Sequence, residues 1–189
     1  DVVAAEAKFV VPTYSRPLPV FTHGKGAYLF DAEGRRYLDF AAGIAVTALG
    51  HSDKEWVEAV SNQAGKLTHV SNLYHTEPHV ELAQRLTENS FADRVYFCNS
   101  GTEANEAAFK FARKWARSRH STQEKTGIVA FEGSFHGRTI GSLAATSKSK
   151  YRSPFEPLMP GVNFATLNDV ASAKKVITGW TPSRAVLWP

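Results

Sequence analysis

From residue 94 onward, short apolar runs alternate with longer segments of helical periodicity, and this alternation limits the possible folds most strongly. The apolar runs are Val95–Cys98, Ile128–Phe131, Val162–Leu167 and Ala185–Trp188. Strands that alternate with helices in this way are typical of a parallel sheet with crossover helices. The sequence therefore predicts an α/β domain in this part of the chain.

The first ninety residues have a different pattern, which we interpret as an N-terminal extension or small domain. Gly26–Phe40 predicts a β-hairpin, because two aromatic-rich runs flank the turn sequence Asp-Ala-Glu-Gly. Apolar residues at helical spacing predict a helix over residues 53–68 with Ser52 as its N-cap, and a second helix over residues 78–89.

Composition excludes several classes of function. The chain has 189 residues, 43% of them hydrophobic and 21% charged, which is typical of a globular protein. Its net charge of +4 is too diffuse to indicate nucleic-acid binding, and no apolar run is long enough to span a membrane. The single cysteine excludes an internal disulfide framework and favours a reducing compartment.

His75 and His79 are separated by Pro78 and lack the metalloprotease spacing, so we predict no metal site.

The joint at Ser100-Gly101-Thr102 follows the first apolar run directly and has two interpretations. Ser100 is either only a helix N-cap, or the joint also holds an anion on the free N–H groups of the helix start. The helix that follows is strongly periodic. Seven apolar residues fall on one face of this helix: Ala104, Ala107, Ala108, Phe111, Ala112, Trp115 and Ala116.

A second joint, "FEGSFHGRT" (Phe131–Thr139), follows the next apolar run. Its residues 133–139 contain two glycines, an aromatic residue, a histidine and an arginine; the last three are Phe135, His136 and Arg138. It is either a turn with an incidental surface arginine or part of a ligand site. In a parallel sheet, ligands bind at the carboxyl ends of the strands. Both joints are therefore expected at one edge of the sheet, where they combine a phosphate cradle, an aromatic surface and a cation.

These joints resemble motifs of a known family. The segments "NSGTEANEAAFKFAR" and "SFHGRT" resemble the large-domain motifs of class III aminotransferases, which use pyridoxal 5′-phosphate. The resemblance extends from about Phe9 to about Val186. It implies a fold-type I transferase large domain with an incomplete parallel sheet, preceded by a segment of the small domain. We accordingly expect residues 1–50 to belong to the small domain and residues 51–189 to be the first part of the large domain.

The resemblance also implies roles for individual residues. The expected cofactor-binding residues are Ser100, Gly101, Thr102, Phe135 and His136. Phe135 matches the aromatic residue that stacks on the pyridine ring, and His136 is expected to support its neighbours without acting in catalysis. Arg138 matches the arginine that binds a substrate carboxylate. Its planar guanidinium suits bidentate binding of that group.

Other parts of the sequence bear on the substrate. "YLDFAAGIAVTALGH" and "SNLYHTEP" resemble the family members that transfer the terminal amino group of N-acetylornithine to 2-oxoglutarate in arginine biosynthesis, and Ile44, Phe135 and His136 favour this acetylated donor. Enzymes acting on ornithine, 4-aminobutyrate or succinylornithine remain alternatives. The resemblance further implies a homodimer. A plastid or mitochondrial location is expected, or a cytoplasmic one in a bacterium.

One feature of the family has no match in the chain. The family's Schiff-base lysine and the aspartate that pairs with the pyridine nitrogen are expected to lie beyond Ala185–Trp188, and no lysine stands in a matching context. We therefore expect an N-terminal part of an aminotransferase that is inactive alone; a non-catalytic fragment of the fold is the alternative. The neighbours of the Val95–Cys98 strand would also come from the remainder, which leaves that strand unpaired. Without the rest of the family's large domain, Phe111 and Trp115 are expected to lose part of their cover.

Overall fold

A computed structural model describes residues 1–119 and 126–179, together with the backbone of residues 185–187. The chain forms two compact units, which we call the first unit (Asp1–His79) and the second unit (from Val80 onward). The predicted boundary near residue 50 concerns the two domains of the family, and it stays a prediction. The described elements are α1 (Val2–Phe9), β1 (Phe21–Lys25), β2 (Tyr28–Asp31), β3 (Arg36–Leu38), α2 (Ala42–Ala45), α3 (Lys54–Lys66), α4 (Glu77–Glu88), α5 (Gly101–Arg119), β4 (Gly127–Phe131), α6 (Ile140–Ala144), α7 (Ser149–Arg152), a 3₁₀ turn (Ser153–Phe155), β5 (Val162–Ala165), α8 (Val170–Gly179) and β6 (Ala185–Leu187).

An antiparallel sheet with the strand order β1-β2-β3 forms the centre of the first unit. The predicted hairpin is confirmed as β2 and β3, whereas β1 was not predicted. Buried Asp31 closes the turn, because its carboxylate accepts hydrogen bonds from the Arg35 N–H at 2.8 Å and the Tyr37 hydroxyl at 2.8 Å. Burial raises the pKa of Asp31, but hydrogen bonds from Arg35 and Tyr37 outweigh it and lower the pKa to about 2.

The segment after β3 is a loop with an unusual backbone. The four residues of α2 have φ angles between 46° and 65°, a left-handed conformation that non-glycine residues rarely adopt. The Asp39 carboxylate anchors the loop, since it accepts hydrogen bonds from the Ala42 N–H at 2.8 Å and pairs with His51 Nε2 at 2.7 Å. Ile44, which the resemblance links to an acetylated substrate, is 92% exposed at this turn.

The two helices predicted in the first ninety residues are confirmed as α3 and α4 to within two residues at each end. The predicted N-cap Ser52 is wrong. Asp53 caps α3, because its carboxylate accepts a hydrogen bond from the Trp56 N–H at 2.9 Å. Ser52 has a φ of 56° and donates its hydroxyl to the Gly24 carbonyl instead, so its side chain points away from the helix.

The second unit has a parallel sheet with the order β5-β4-β6, which confirms the predicted α/β architecture. Ile128 of β4 lies opposite Val162 of β5 and Val186 of β6. Of the final apolar run, Trp188 lies outside the described residues. Val95–Cys98 belongs to no strand, which agrees with the expectation that it has no neighbour among the described residues.

Only part of the predicted apolar face of α5 is buried. Phe109, absent from the predicted face, is 2% exposed and packs in a core with Ile128, Ala130 and Ala145. Burying a phenylalanine side chain of this kind contributes about 2–3 kcal/mol. Ala116 of the predicted face is buried, and Phe111 and Trp115 are 54% and 59% exposed, as the expected loss of cover predicts. The helix has two apolar rows: one packs on the sheet, whereas Phe111 of the other row contacts the Tyr96 ring edge-to-face, with the centroids 5.6 Å apart.

Candidate active site

The start of α5 is capped from both sides. The Ser100 hydroxyl accepts a hydrogen bond from the Glu103 N–H at 3.3 Å, which confirms Ser100 as an N-cap. The Glu103 carboxylate folds back to accept from the Asn99 N–H at 2.8 Å and from the Ser100 hydroxyl at 3.1 Å. Hydrogen bonds from Asn99 and Ser100 lower the pKa of Glu103. This reciprocal arrangement is a variant of the capping box, in which Asn99, the residue before the N-cap, supplies the N–H to the Glu103 carboxylate.

The capping box leaves two N–H groups of the first turn available. Within the described part of the chain, no acceptor is placed on the N–H of Gly101 or Thr102. A Cβ added to Gly101 would meet no atom within 4 Å, so the space beside this turn is open. Free N–H groups and the positive end of a 19-residue helix suit an anion. Capping and anion binding are therefore compatible at this joint.

Side chains of α5 bind the second joint to the first. The Thr102 hydroxyl accepts a hydrogen bond from the Arg138 N–H at 3.2 Å, although the two residues lie 36 positions apart. Asn105 Nδ2 donates to the His136 carbonyl at 2.7 Å. The Ser142 hydroxyl donates to the Thr102 carbonyl at 2.9 Å. The structure thus brings the two joints together within the second unit.

The side chain of His136 is buried against its own loop. It is 6% exposed, and its backbone N–H donates to the Thr146 hydroxyl at 3.0 Å. Its Nδ1 lies 2.8 Å from the Ala145 carbonyl, an acceptor only, so Nδ1 carries a proton in this hydrogen bond. These contacts fit a residue that holds the loop in shape.

Phe135 and Arg138 lie on the outside of the same loop. Phe135 is 61% exposed, so a face of its ring is accessible to a planar ligand. The guanidinium carbon of Arg138 lies 5.4 Å from the centroid of the Phe135 ring and 4.3 Å from that of the Tyr151 ring. In the described residues, no carboxylate pairs with this guanidinium. The cation is thus available to an anionic ligand.

Sequence reasoning missed three residues of this region: Asn105, Glu106 and Tyr151. The Glu106 carboxylate accepts hydrogen bonds from the Thr139 hydroxyl at 2.5 Å and from the Ser142 N–H at 3.1 Å, at the start of α6. Asn105 and Glu106 lie three and four residues after Thr102, so all three share one face of α5. A polar row at this spacing, beside an apolar row, was a signal that could have identified Asn105 and Glu106.

The sequence matches the aminotransferase class-III family over residues 10–179. The chain belongs to this family. Among curated proteins, it is 55% identical over 179 residues to the mitochondrial acetylornithine aminotransferase of Alnus glutinosa. That alignment covers 94% of this chain and 40% of the relative. The resemblance to class III aminotransferases is thereby confirmed.

Two solved aminotransferases support the fold. The N-acetylornithine aminotransferase from Stenotrophomonas maltophilia K279a is 34% identical, with a TM-score of 0.77, over 98% of this chain and 43% of that one. An ornithine aminotransferase from Toxoplasma gondii, with pyridoxal phosphate at partial occupancy in its active site, is 26% identical, with a TM-score of 0.89. That match covers 98% of this chain and 43% of the neighbour, and it confirms the fold-type I architecture.

The chain spans about 40% of the length of the Alnus glutinosa relative. The class III aminotransferases are pyridoxal-phosphate-dependent enzymes. No helix among the described residues is long and apolar enough to cross a membrane.

Proposed function

We propose that this class III aminotransferase chain forms the phosphate-binding and carboxylate-binding part of a pyridoxal-phosphate-dependent transaminase. The observation that carries the proposal is the junction of the two joints. The open first turn of α5 is bonded through Thr102 to the backbone of Arg138 at 3.2 Å. An anion cradle and a free guanidinium thus lie on one rigid assembly, as an enzyme for amino acids requires.

The residues of the cradle fit the cofactor's phosphate. Gly101 and Thr102 offer free N–H groups at a helix start, and the absence of a side chain at Gly101 leaves room for a phosphate group. The Ser100 hydroxyl lies at the same turn, and the exposed ring of Phe135 is accessible for stacking on the pyridine ring. When bound, pyridoxal phosphate supplies the electron sink that amino transfer requires.

Each loop residue has a proposed share in holding the ligands. Arg138 binds a substrate carboxylate through its guanidinium, for which the described residues supply no competing acid. His136 is buried and bonded to Ala145, so it contributes to the cofactor site by holding Phe135 and Arg138 in place. In this assignment, neither residue acts as the acid or base of the reaction.

N-acetylornithine is the proposed amino donor, and 2-oxoglutarate the proposed acceptor, in arginine biosynthesis. The support is the similarity to proteins named acetylornithine aminotransferase in plants, fungi and archaea. Ile44, Phe135 and His136 favour the acetylated donor through the family resemblance. Competition between N-acetylornithine, succinylornithine, ornithine and 4-aminobutyrate as donors tests this choice, and a higher kcat/KM for any of the other three contradicts it.

Two further features are proposed from the family resemblance. The enzyme acts as a homodimer, and the large number of apolar side chains exposed in the described residues is consistent with a further interface. Its location is the mitochondrion or a plastid in a eukaryote, because the relatives from Alnus glutinosa and Debaryomyces hansenii are named mitochondrial. In a bacterium, it is the cytoplasm.

Arg138→Ala tests the substrate site in the full-length protein that carries this sequence. We expect kcat/KM for the amino donor and for 2-oxoglutarate to fall strongly, because a hydrogen-bonded partner of a carboxylate is lost at a cost of about 2–5 kcal/mol. Affinity for pyridoxal phosphate should change little. Unchanged kcat/KM for both substrates removes Arg138 from the site.

Gly101→Val tests the phosphate cradle. The valine side chain enters open space, so the fold is retained, but it displaces a phosphate from the N–H groups. Losing a charge-assisted hydrogen bond costs about 1.5–3 kcal/mol, which is roughly a 10- to 100-fold loss of affinity. Titration of the apoprotein with pyridoxal phosphate measures the loss. Gly65→Val, in α3, is the control, since its Cβ position also has no neighbour within 4 Å. Equal affinity in both variants favours a simple N-cap at Ser100.

A further inference from the structure

The guanidinium of Arg138 lies against two aromatic rings. Its central carbon is 4.3 Å from the centroid of Tyr151 and 5.4 Å from that of Phe135. Both distances fall within the range of cation–π attraction, and the Tyr151 contact is the shorter. The ammonium of Lys150 is 5.1 Å from the centroid of the Tyr151 ring, so Arg138 is the nearer cation.

The segment that leads to Tyr151 is fixed to the loop that carries Arg138. The Gly133 N–H donates to the Ser147 hydroxyl at 2.7 Å, and the Ser147 N–H donates to the Ser134 carbonyl at 3.0 Å. The imidazole of His136 is bonded to the Ala145 carbonyl at 2.8 Å. These bonds anchor Ala145 and Ser147 to the loop that carries Arg138. Tyr151 lies in α7, which begins two residues after Ser147, so its backbone is tied to the same loop as Arg138.

An aromatic ring can hold a guanidinium in place without occupying the hydrogen-bond donors of the guanidinium. A carboxylate neighbour would orient Arg138 equally well, but it would compete with an incoming substrate and neutralise the charge. Within the described segments, no hydrogen-bond acceptor and no acid is placed on the Arg138 guanidinium. Stacking on a ring thus restricts the orientation of the guanidinium plane while its N–H groups remain available for bidentate binding of a carboxylate.

We propose that Tyr151 is a positioning residue for Arg138, which it holds ready for the substrate carboxylate. The inference rests on the proposed function, because it assumes that Arg138 binds that carboxylate. It assigns to Tyr151 a part in affinity for the amino acid and the oxo acid, and no part in affinity for the cofactor phosphate.

The test measures binding of glutarate, a dicarboxylate that has no oxo group and does not react. The full-length, cofactor-loaded protein is titrated by calorimetry. Tyr151→Leu is expected to weaken glutarate binding roughly 3- to 30-fold, the range of a cation–π contact, and Tyr151→Phe to remain within about twofold of the parent. In steady-state kinetics, Tyr151→Leu raises KM for 2-oxoglutarate with kcat nearly unchanged, because the lost contact is present before and during the reaction.

Two further variants separate positioning from general damage. Tyr28→Leu removes the ring over Arg36, whose guanidinium carbon lies 4.7 Å from it, in the first unit, and it should leave glutarate binding unchanged. In an Arg138→Ala background, Tyr151→Leu should have no additional effect, because the residue acts only through Arg138. The affinity of the apoprotein for pyridoxal phosphate should be equal in the parent and in Tyr151→Leu.

Several results would overturn this role. A loss of affinity in Tyr151→Phe as large as in Tyr151→Leu assigns the effect to the hydroxyl and excludes stacking. Additive losses in the double variant show that Tyr151 acts independently of Arg138. If glutarate binding is weaker in Arg138→Ala but not in Tyr151→Leu, the role of Tyr151 is refuted while the carboxylate site at Arg138 is retained. Unchanged glutarate binding in Arg138→Ala refutes the carboxylate site in the proposed function as well.

Discussion

Replacing Gly137 with alanine is expected to damage the candidate site through a single methyl group. Gly137 is a buried residue of the second joint and has a φ of +134°, outside the range that side chains readily allow. A Cβ at this position would lie 2.5 Å from the Cβ of Thr102 and 2.9 Å from that of Ser142, and it would contact the Thr102 hydroxyl even more closely. The methyl group thus occupies space that belongs to the cradle residue Thr102.

The magnitude follows from two separate costs. Backbone strain of a residue forced into such a conformation is about 1–3 kcal/mol. Overpacking against Thr102 and Ser142 adds about 1–3 kcal/mol. We therefore expect Gly137→Ala to lower the free energy of unfolding by about 2–6 kcal/mol, a large share of the roughly 5–15 kcal/mol of a typical domain. Displacement of Thr102 should also weaken pyridoxal phosphate binding roughly 10- to 100-fold, since one hydrogen bond to the phosphate is lost.

Gly133→Ala provides the matched control from the same loop. Gly133 has a φ of +84°, but a Cβ there would meet no atom within 4 Å. The free energy of unfolding of Gly133→Ala should therefore fall only by the backbone cost of about 1–2 kcal/mol, and its cofactor affinity should be retained. Urea denaturation followed by circular dichroism measures the stabilities, and titration of the apoprotein measures cofactor affinity. If the two variants are equally stable and bind pyridoxal phosphate equally well, the contact between Gly137 and Thr102 is not what the structure indicates.

Three other predictions concern stability and association. The folded-state pKa of Asp31 is about 2 against an ordinary value of 3.8, so its stabilisation of the hairpin is complete above about pH 4 and lost as the pH falls through about 2. Acid titration by circular dichroism should show this loss in the parent and not in Asp31→Asn, and identical curves would contradict it. Glu106→Ala should destabilise the protein by about 1–3 kcal/mol in urea, because two donors lose their acceptor, whereas Glu106→Gln should cost less than half as much; equal costs would argue against the bridge. The 189-residue chain alone should self-associate in size-exclusion chromatography with light scattering, because Phe111 and Trp115 are 54% and 59% exposed. Replacing both by glutamate should reduce the association, and a parent that is already monomeric would count against this surface.

Features that depend on neighbouring residues could be predicted from the sequence. Ser100 and Glu103 are three positions apart, so their capping box follows from local geometry alone. The order of strands and helices after residue 94 follows from periodicity, which also depends only on residues close together in the sequence. β1 escaped prediction because "FTHGK" lacks an apolar alternation, and it becomes a strand only by pairing with β2.

Features that depend on distant residues were decided by the tertiary structure. α5 has two apolar rows, and its sequence does not reveal that Phe109 meets the sheet while Phe111 faces outward. Likewise, the hydrogen bond from Asn105 to the His136 carbonyl joins residues 31 positions apart. The sequence alone identified the two joints, because their chemistry lies in adjacent residues. Only the packing of α5 against the loop brought Thr102 to the backbone of Arg138, and only the return of the chain through α6 to α7 placed Tyr151 beside its guanidinium. Such contacts arise only when segments that are separate along the chain fold together.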